Sequence, residues 1–114
     1  MKIKDIACLL GSELKGATNN AGTDVNYGFA SDLMSDVLTL ESDKVILLTG
    51  LANIQAIRTA EMSDINCIVF VRNKNVSQEI LKLATESGIS LIEFKGSMFR
   101  AVSILSQAGI KPVY

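Results

Sequence analysis

The sequence predicts an α/β fold: a single domain over residues 1–114, with a mostly parallel β-sheet built from repeated βα units. Three observations carry this. Three short, strongly apolar, β-branched runs, Lys44–Thr49, Cys67–Arg72 and Ser90–Lys95, begin at a constant interval of 23 residues. Runs of this kind suit strands covered on both faces, as parallel strands are. Each run leads through a short polar loop into a segment with helical spacing, and a constant βα pitch is what right-handed crossovers produce. Length and composition agree: 114 residues suffice for one domain, and 48% apolar against 20% charged residues is globular rather than disordered.

Taken in order, Lys4–Leu10 reads as a short helix with Ile6, Leu9 and Leu10 inward, ended by Gly11, and Ser12–Gly16 as a short strand. Thr18–Asp24 is a polar loop without periodicity, so residues 1–23 form an N-terminal helix, strand and loop ahead of the main body at 24–110. Val25–Phe29 alternates like a strand, with Gly28 placed for a bend or a close backbone approach. Ser31–Leu40 has helical spacing, with Leu33, Met34 and Val37 inward. After the first apolar run, Ile54, Ile57 and Ala60 form a weak stripe. Val76, Ile80, Leu83 and Ala84 form a stronger one after the second, closed by Gly88. Met98, Ala101, Val102 and Leu105 follow the third, closed by Gly109. The single proline, Pro112, lies in a tail that either pairs as an edge strand or lies free.

Several function classes are excluded early. The chain has no His, which removes His-based triads, His general bases and His-ligated zinc. With 11 basic and 12 acidic residues it carries no excess of positive charge for nucleic acid. No apolar run approaches the roughly 20 residues of a membrane span, and Met1-Lys-Ile-Lys-Asp5 is too charged to open a signal peptide. The expectation is a cytoplasmic chain with neither nucleic-acid nor membrane partner. Cys8 and Cys67 lie among apolar neighbours and read as free, buried thiols, with no CxxC pair. No GxxxxGK[ST], GxGxxG or GxSxG motif occurs, so neither a cofactor nor a catalytic residue is assigned.

Candidate chemistry gathers at the carboxyl ends of the three apolar runs, where open α/β sheets bind ligands against helix N-termini. Those ends carry Thr49 and Gly50, then Arg72 and Asn73, then Lys95 and Ser97, with Asn53 just beyond the first. Arg72 and Lys95 with nearby amides would suit a carboxylate or phosphate. Helix capping explains Asn53, Ser77 and Ser97 equally well. Asp32 and Asp36, four residues apart, could share a helix face and hold a cation, or simply edge a solvated helix. Tyr27 and Phe29 fall on one face of an alternating strand, where they could make a subunit contact joined by Tyr114, or cover one end of the sheet.

The pieces Gly28-Phe-Ala-Ser-Asp-Leu-Met-Ser-Asp-Val-Leu38, Leu48-Thr-Gly-Leu-Ala-Asn-Ile54, Ala84-Thr-Glu-Ser-Gly-Ile-Ser-Leu-Ile92 and Met98-Phe-Arg-Ala101 together resemble the DRTGG domain family. They span roughly residues 24–110 and are most similar to small stand-alone members, often encoded beside iron-hydrogenase or electron-transfer subunits. Lys2–Gly16 is similar to the first helix and strand of Mur ligase and HPr kinase N-terminal domains, which are thought to share this fold. Gly28, Ser31, Asp32, Ser35, Asn53 and Ile54 match the family pattern. The name-giving Asp-Arg would fall near Leu51-Ala52 and the Gly-Gly near Arg72-Asn73, and this chain carries neither pair. The resemblance implies a non-catalytic regulatory and dimerisation module, homodimeric, with a redox-enzyme or signalling protein as partner. The alternative is a sensor of a small anionic metabolite or nucleotide, held by Ser31, Asp32, Thr49, Gly50, Asn53, Arg72, Asn73, Lys95 and Ser97. A third reading, a metal-dependent enzyme, would need Asp32 or Asp36 as acid or base.

Overall fold

The computed structural model describes all residues, 1–114. Its elements are α1 (Ile3–Leu9), β1 (Leu14–Gly16), β2 (Tyr27–Ala30), α2 (Met34–Val37), β3 (Val45–Thr49), α3 (Ile54–Met62), β4 (Cys67–Phe70), α4 (Gln78–Glu86), β5 (Ser90–Glu93), α5 (Met98–Gln107) and β6 (Lys111–Pro112). All six strands form one sheet in the order β1-β5-β4-β3-β2-β6. Only β1 runs antiparallel to its neighbour, so the sheet is mostly parallel as the sequence predicts.

Handedness decides which helix covers which face. From β2 to β5 the chain advances one strand at a time in a single direction, so right-handed crossovers place α2, α3 and α4 together. Met34, Val37, Ala56, Ile57, Ile80 and Ala84 accordingly pack with Leu47, Ile68, Phe70 and Leu91. From β5 the chain returns across the whole sheet to β6, and the same hand puts α5 on the opposite face. There Ala101 and Leu105 join Ile3, Ile6 and Leu10 of the α1 segment over Ile46, Leu48, Val69 and Ile92. Covered on both sides, β3 and β4 are buried along their whole length, which accounts for their unbroken apolar runs.

Local chemistry sets the element ends. Asn53, Ser77 and Ser97 each accept a backbone N–H three residues ahead, capping α3, α4 and α5. Gly88 and Gly109 follow the ends of α4 and α5 with φ of +73° and +105°, a conformation that costs glycine little. Gly28 is the close approach expected of it, since a Cβ there would lie 3.2 Å from Ile110 Cγ2.

Several expectations need correction. The helix at Ser31–Leu40 is a single turn, because Ser31 Oγ accepts the Leu33 N–H and holds the preceding residues in a turn. Leu33 therefore points outward, and Asp32 lies ahead of α2 rather than sharing a helix face with Asp36. Leu9 and Val102 are exposed members of otherwise inward stripes. Val76 precedes α4, although it still packs against the core. Cys8 is exposed; only Cys67 is buried, and burial pushes its thiol pKa up. Thr18–Gly22 is a short 3-10 turn rather than irregular loop. The tail pairs as an edge strand, β6, beside Tyr27 and Gly28. No helix is long and apolar enough to cross a membrane.

Candidate functional site

The carboxyl ends of β2, β3, β4 and β5 lie along one edge of the sheet, and two groups of side chains gather there. The first centres on Asp32, just beyond β2. Its Oδ1 accepts the Gly50 N–H at 2.7 Å and the Thr49 hydroxyl at 3.0 Å, and its Oδ2 accepts Arg72 Nη2 at 3.1 Å. Thr49 Oγ1 in turn accepts the Leu51 N–H. The Gly50 amide, followed by Arg72 and Thr49, outweighs partial burial and holds the Asp32 carboxyl below its ordinary pKa.

The Arg72 guanidinium lies directly over Gly50, where an added Cβ would fall 1.9 Å from Nη2. Arg72 and Asn73 are consecutive left-handed residues, with φ of +66° and +59°. For Arg this conformation costs about 1 kcal/mol or more. It turns the chain so that the Arg72 N–H donates to Gly96 O and the Asn73 N–H to Phe94 O, tying the loop after β4 to the loop after β5.

The second group sits between β4 and β5. Since α4 leaves β4 toward one face and α5 leaves β5 toward the other, this is the sheet's switch point, where open α/β sheets form a crevice. A cavity of about 210 Å³ lies there, lined by Lys15, Asn73, Lys74, Asn75, Glu93 and Lys95, among others. Burial raises the Glu93 pKa, but an ion pair with Lys15 and the Val76 N–H at 2.8 Å more than offset it, so the carboxyl stays below its usual range. The same hydrogen bond to Glu93 raises Lys15. Lys74 and Lys95 have no acidic partner within salt-bridge distance.

The fold thus brings Asp32, Thr49, Gly50 and Arg72 into one hydrogen-bonded group, and sets Asn73 and Lys95 on the adjoining crevice. Ser31 spends its hydroxyl on the turn into α2, while Asn53 and Ser97 cap helices. The Gly50, Arg72 and Asn73 amides, which a strand-end anion would use, already have protein acceptors, and Arg72 is already paired. The cations left open are Lys74 and Lys95. Sequence reasoning did not single out Lys15, Lys74 or Glu93; the one available signal was Glu93, a carboxylate interrupting the apolar run Ser90–Lys95. Tyr27 and Phe29 are half-buried on the α2–α3 face, and Phe29 meets Tyr114 at a ring-centroid separation of 6.0 Å.

No protein-family model matches this sequence, and no curated protein matches it. Among solved structures, the chain is similar to the CBS and DRTGG domains of the regulatory region of a Clostridium perfringens pyrophosphatase, complexed with its activator diadenosine tetraphosphate. The match has a TM-score of 0.73 at 15% identity and covers 98% of this chain. This chain spans about half of that one, 48% of its length. The shared property is the fold, which is DRTGG-like.

Proposed function

We propose that residues 1–114 act as one non-catalytic regulatory module that works by self-association. The observation that carries this is the match, over nearly the whole chain, to the regulatory region of another protein. A near-neutral chain with a formal charge of −1 associates without strong like-charge repulsion. Candidate contact residues are Tyr27 and Phe29, with Tyr114 beside them. The link to a redox or hydrogenase system, and to a redox-enzyme or signalling partner, rests on the resemblance of Gly28–Leu38 and Leu48–Ile54 to stand-alone family members. Light scattering coupled to gel filtration tests the reading. A dimer at micromolar concentration is expected, and a strict monomer overturns it.

A second reading, a sensor of a small anionic metabolite or nucleotide, is favoured by the unpaired Lys74 and Lys95 at the switch-point crevice. An anion bridging this crevice would compete with Asp32 for Arg72, coupling occupancy to the loop after β2. Nucleotides and acyl phosphates should then raise the melting temperature, since a ligand that binds only the folded state stabilises it. Lys95→Ala and Arg72→Ala should each reduce that rise; an unchanged rise in both removes the crevice from consideration.

A further inference from the structure

Two aromatic rings stand almost free of the chain that carries them. Phe99, in the first turn of α5, is 84% exposed, and Tyr114 is 88% exposed. Phe99, Val102 and Ser106 lie three and seven residues apart and so share one flank of α5. That flank is uncharged: Ser103 adjoins it, and Arg100, the only charge on the helix, falls off it. Single exposed apolar residues need no explanation, but several together on one helix flank mark a contact surface.

The same flank borders the largest cavity, of about 420 Å³, lined by Ala30, Leu48, Val102, Leu105, Ser106 and Tyr114, among others. Its inner end is closed, because Gly28 pairs with Pro112 of β6 and lies under the Ile110 side chain. β6 stops at Pro112, so beyond it the cavity opens outward between the exposed Ala30 and Ser106, with Tyr114 at the mouth. The walls are mainly apolar, and the space takes in an aromatic side chain. One chain thus carries an aromatic knob and an apolar hole on the same helix flank, two turns apart.

From this geometry we infer that α5 packs antiparallel on α5 of a second copy, with Phe99 of each copy seated beside Ser106 in the cavity of the other. A two-fold axis crossing the helix between Val102 and Ser103 brings Phe99 against Ser106, and the exchange is reciprocal, as an isologous contact requires. A parallel pairing would set Phe99 on Phe99 and leave both cavities empty. The area agrees. Aromatic side chains bury roughly 150–250 Å² each, so four mostly exposed rings supply roughly 500–800 Å² of the about 1,200–2,000 Å² in a stable interface. Val102, Ala30 and the cavity walls add to this. The pairing rests on the self-association proposed above and gives it a surface. Tyr114 belongs to that surface, whereas Tyr27 and Phe29 lie on the other face of the sheet.

Light scattering and sedimentation of the full chain test this at two exposed positions, with Phe99→Glu and Ser106→Lys. The parent should be dimeric at micromolar concentration, and each variant should raise the dimer Kd at least about tenfold, as loss of an aromatic anchor does. Circular dichroism should show both still folded, because neither side chain is buried. Should a charged variant fold poorly, Phe99→Ala and Ser106→Trp read out the same loss. Mixed in equal amounts, Phe99→Glu and Ser106→Lys should associate again. At one contact the new carboxylate meets the new ammonium, and at the other Phe99 still meets Ser106. A monomeric parent overturns the self-association reading and this pairing with it. A dimeric parent whose variants stay dimeric overturns the pairing alone and returns the contact to Tyr27 and Phe29. Variants that dissociate but do not recover on mixing overturn the pairing as well, since the antiparallel register requires that recovery.

Discussion

Asp32 collects donors from the end of β3 and from the loops after β3 and β4, all far from it in sequence. Its depressed pKa has a sign that can be tested. Because the folded carboxyl is the stronger acid, its contribution is fully present above the ordinary carboxylate pKa, near 4. It is lost as pH falls through the folded value. Glu93 acts in the same direction. Chemical denaturation between neutral and acid pH should therefore show the parent chain losing stability over an Asp32→Asn variant, with the gap closing in acid. The Asp32–Arg72 pair itself is half-exposed, so its own worth is about 1 kcal/mol or less. Gly50 gives a cleaner probe. Gly50→Ala would push the Arg72 head, the far end of a flexible side chain, off Asp32. In a double-mutant cycle, Arg72→Ala should then cost almost nothing further in the Gly50→Ala background, whereas additive losses would contradict the stacked arrangement. Gly50 and Arg72 could be picked out from the sequence as strand-end positions, and Asp32 as half of an acidic pair and as a match to the family pattern. Their mutual bonding could not, because no periodicity reports a contact between loops following different strands.

At the scale of elements, α3, α4 and α5 were legible because their signals are local: an apolar stripe, an Asn or Ser cap and, for the last two, a closing glycine. Each cap is expected to contribute similarly, so Asn53→Ala, Ser77→Ala and Ser97→Ala should each cost about 1 kcal/mol in urea unfolding. Sites on separate helices should add. The short elements were harder. Over Ser31–Leu40 the apolar spacing is helical, yet the Ser31 hydroxyl competes for the backbone and only Met34–Val37 forms a helical turn. The direction of β1 was not readable at all, since three residues carry no mark of which neighbour they will pair with. Its antiparallel course places Lys15 on the switch-point crevice, and so explains why that residue was missed.

Across the whole molecule, the two-sided burial of β3 and β4 was written in their composition, and the allocation of helices to faces follows from handedness once strand order is known. Phe70, at 0% exposure beneath α3 and α4, is a sensitive point of this core. Phe70→Ala should cost about 3–5 kcal/mol, measured as a fall in the urea midpoint with little change in slope. The sheet order also has a consequence in time. Leu14, Lys15 and Gly16 find their partners Ile92, Leu91 and Ser90 only after almost the whole chain has been organised, and β6 likewise waits for α5 to cross back to β2. The two edges are therefore late arrivals, while β2 to β5 can assemble by successive neighbouring crossovers. A chain that closes such distant pairs folds more slowly than one held by local contacts. Destabilising substitutions in β1 should consequently quicken unfolding and leave the refolding rate nearly unchanged, so that β1 acts as a latch on a sheet already formed.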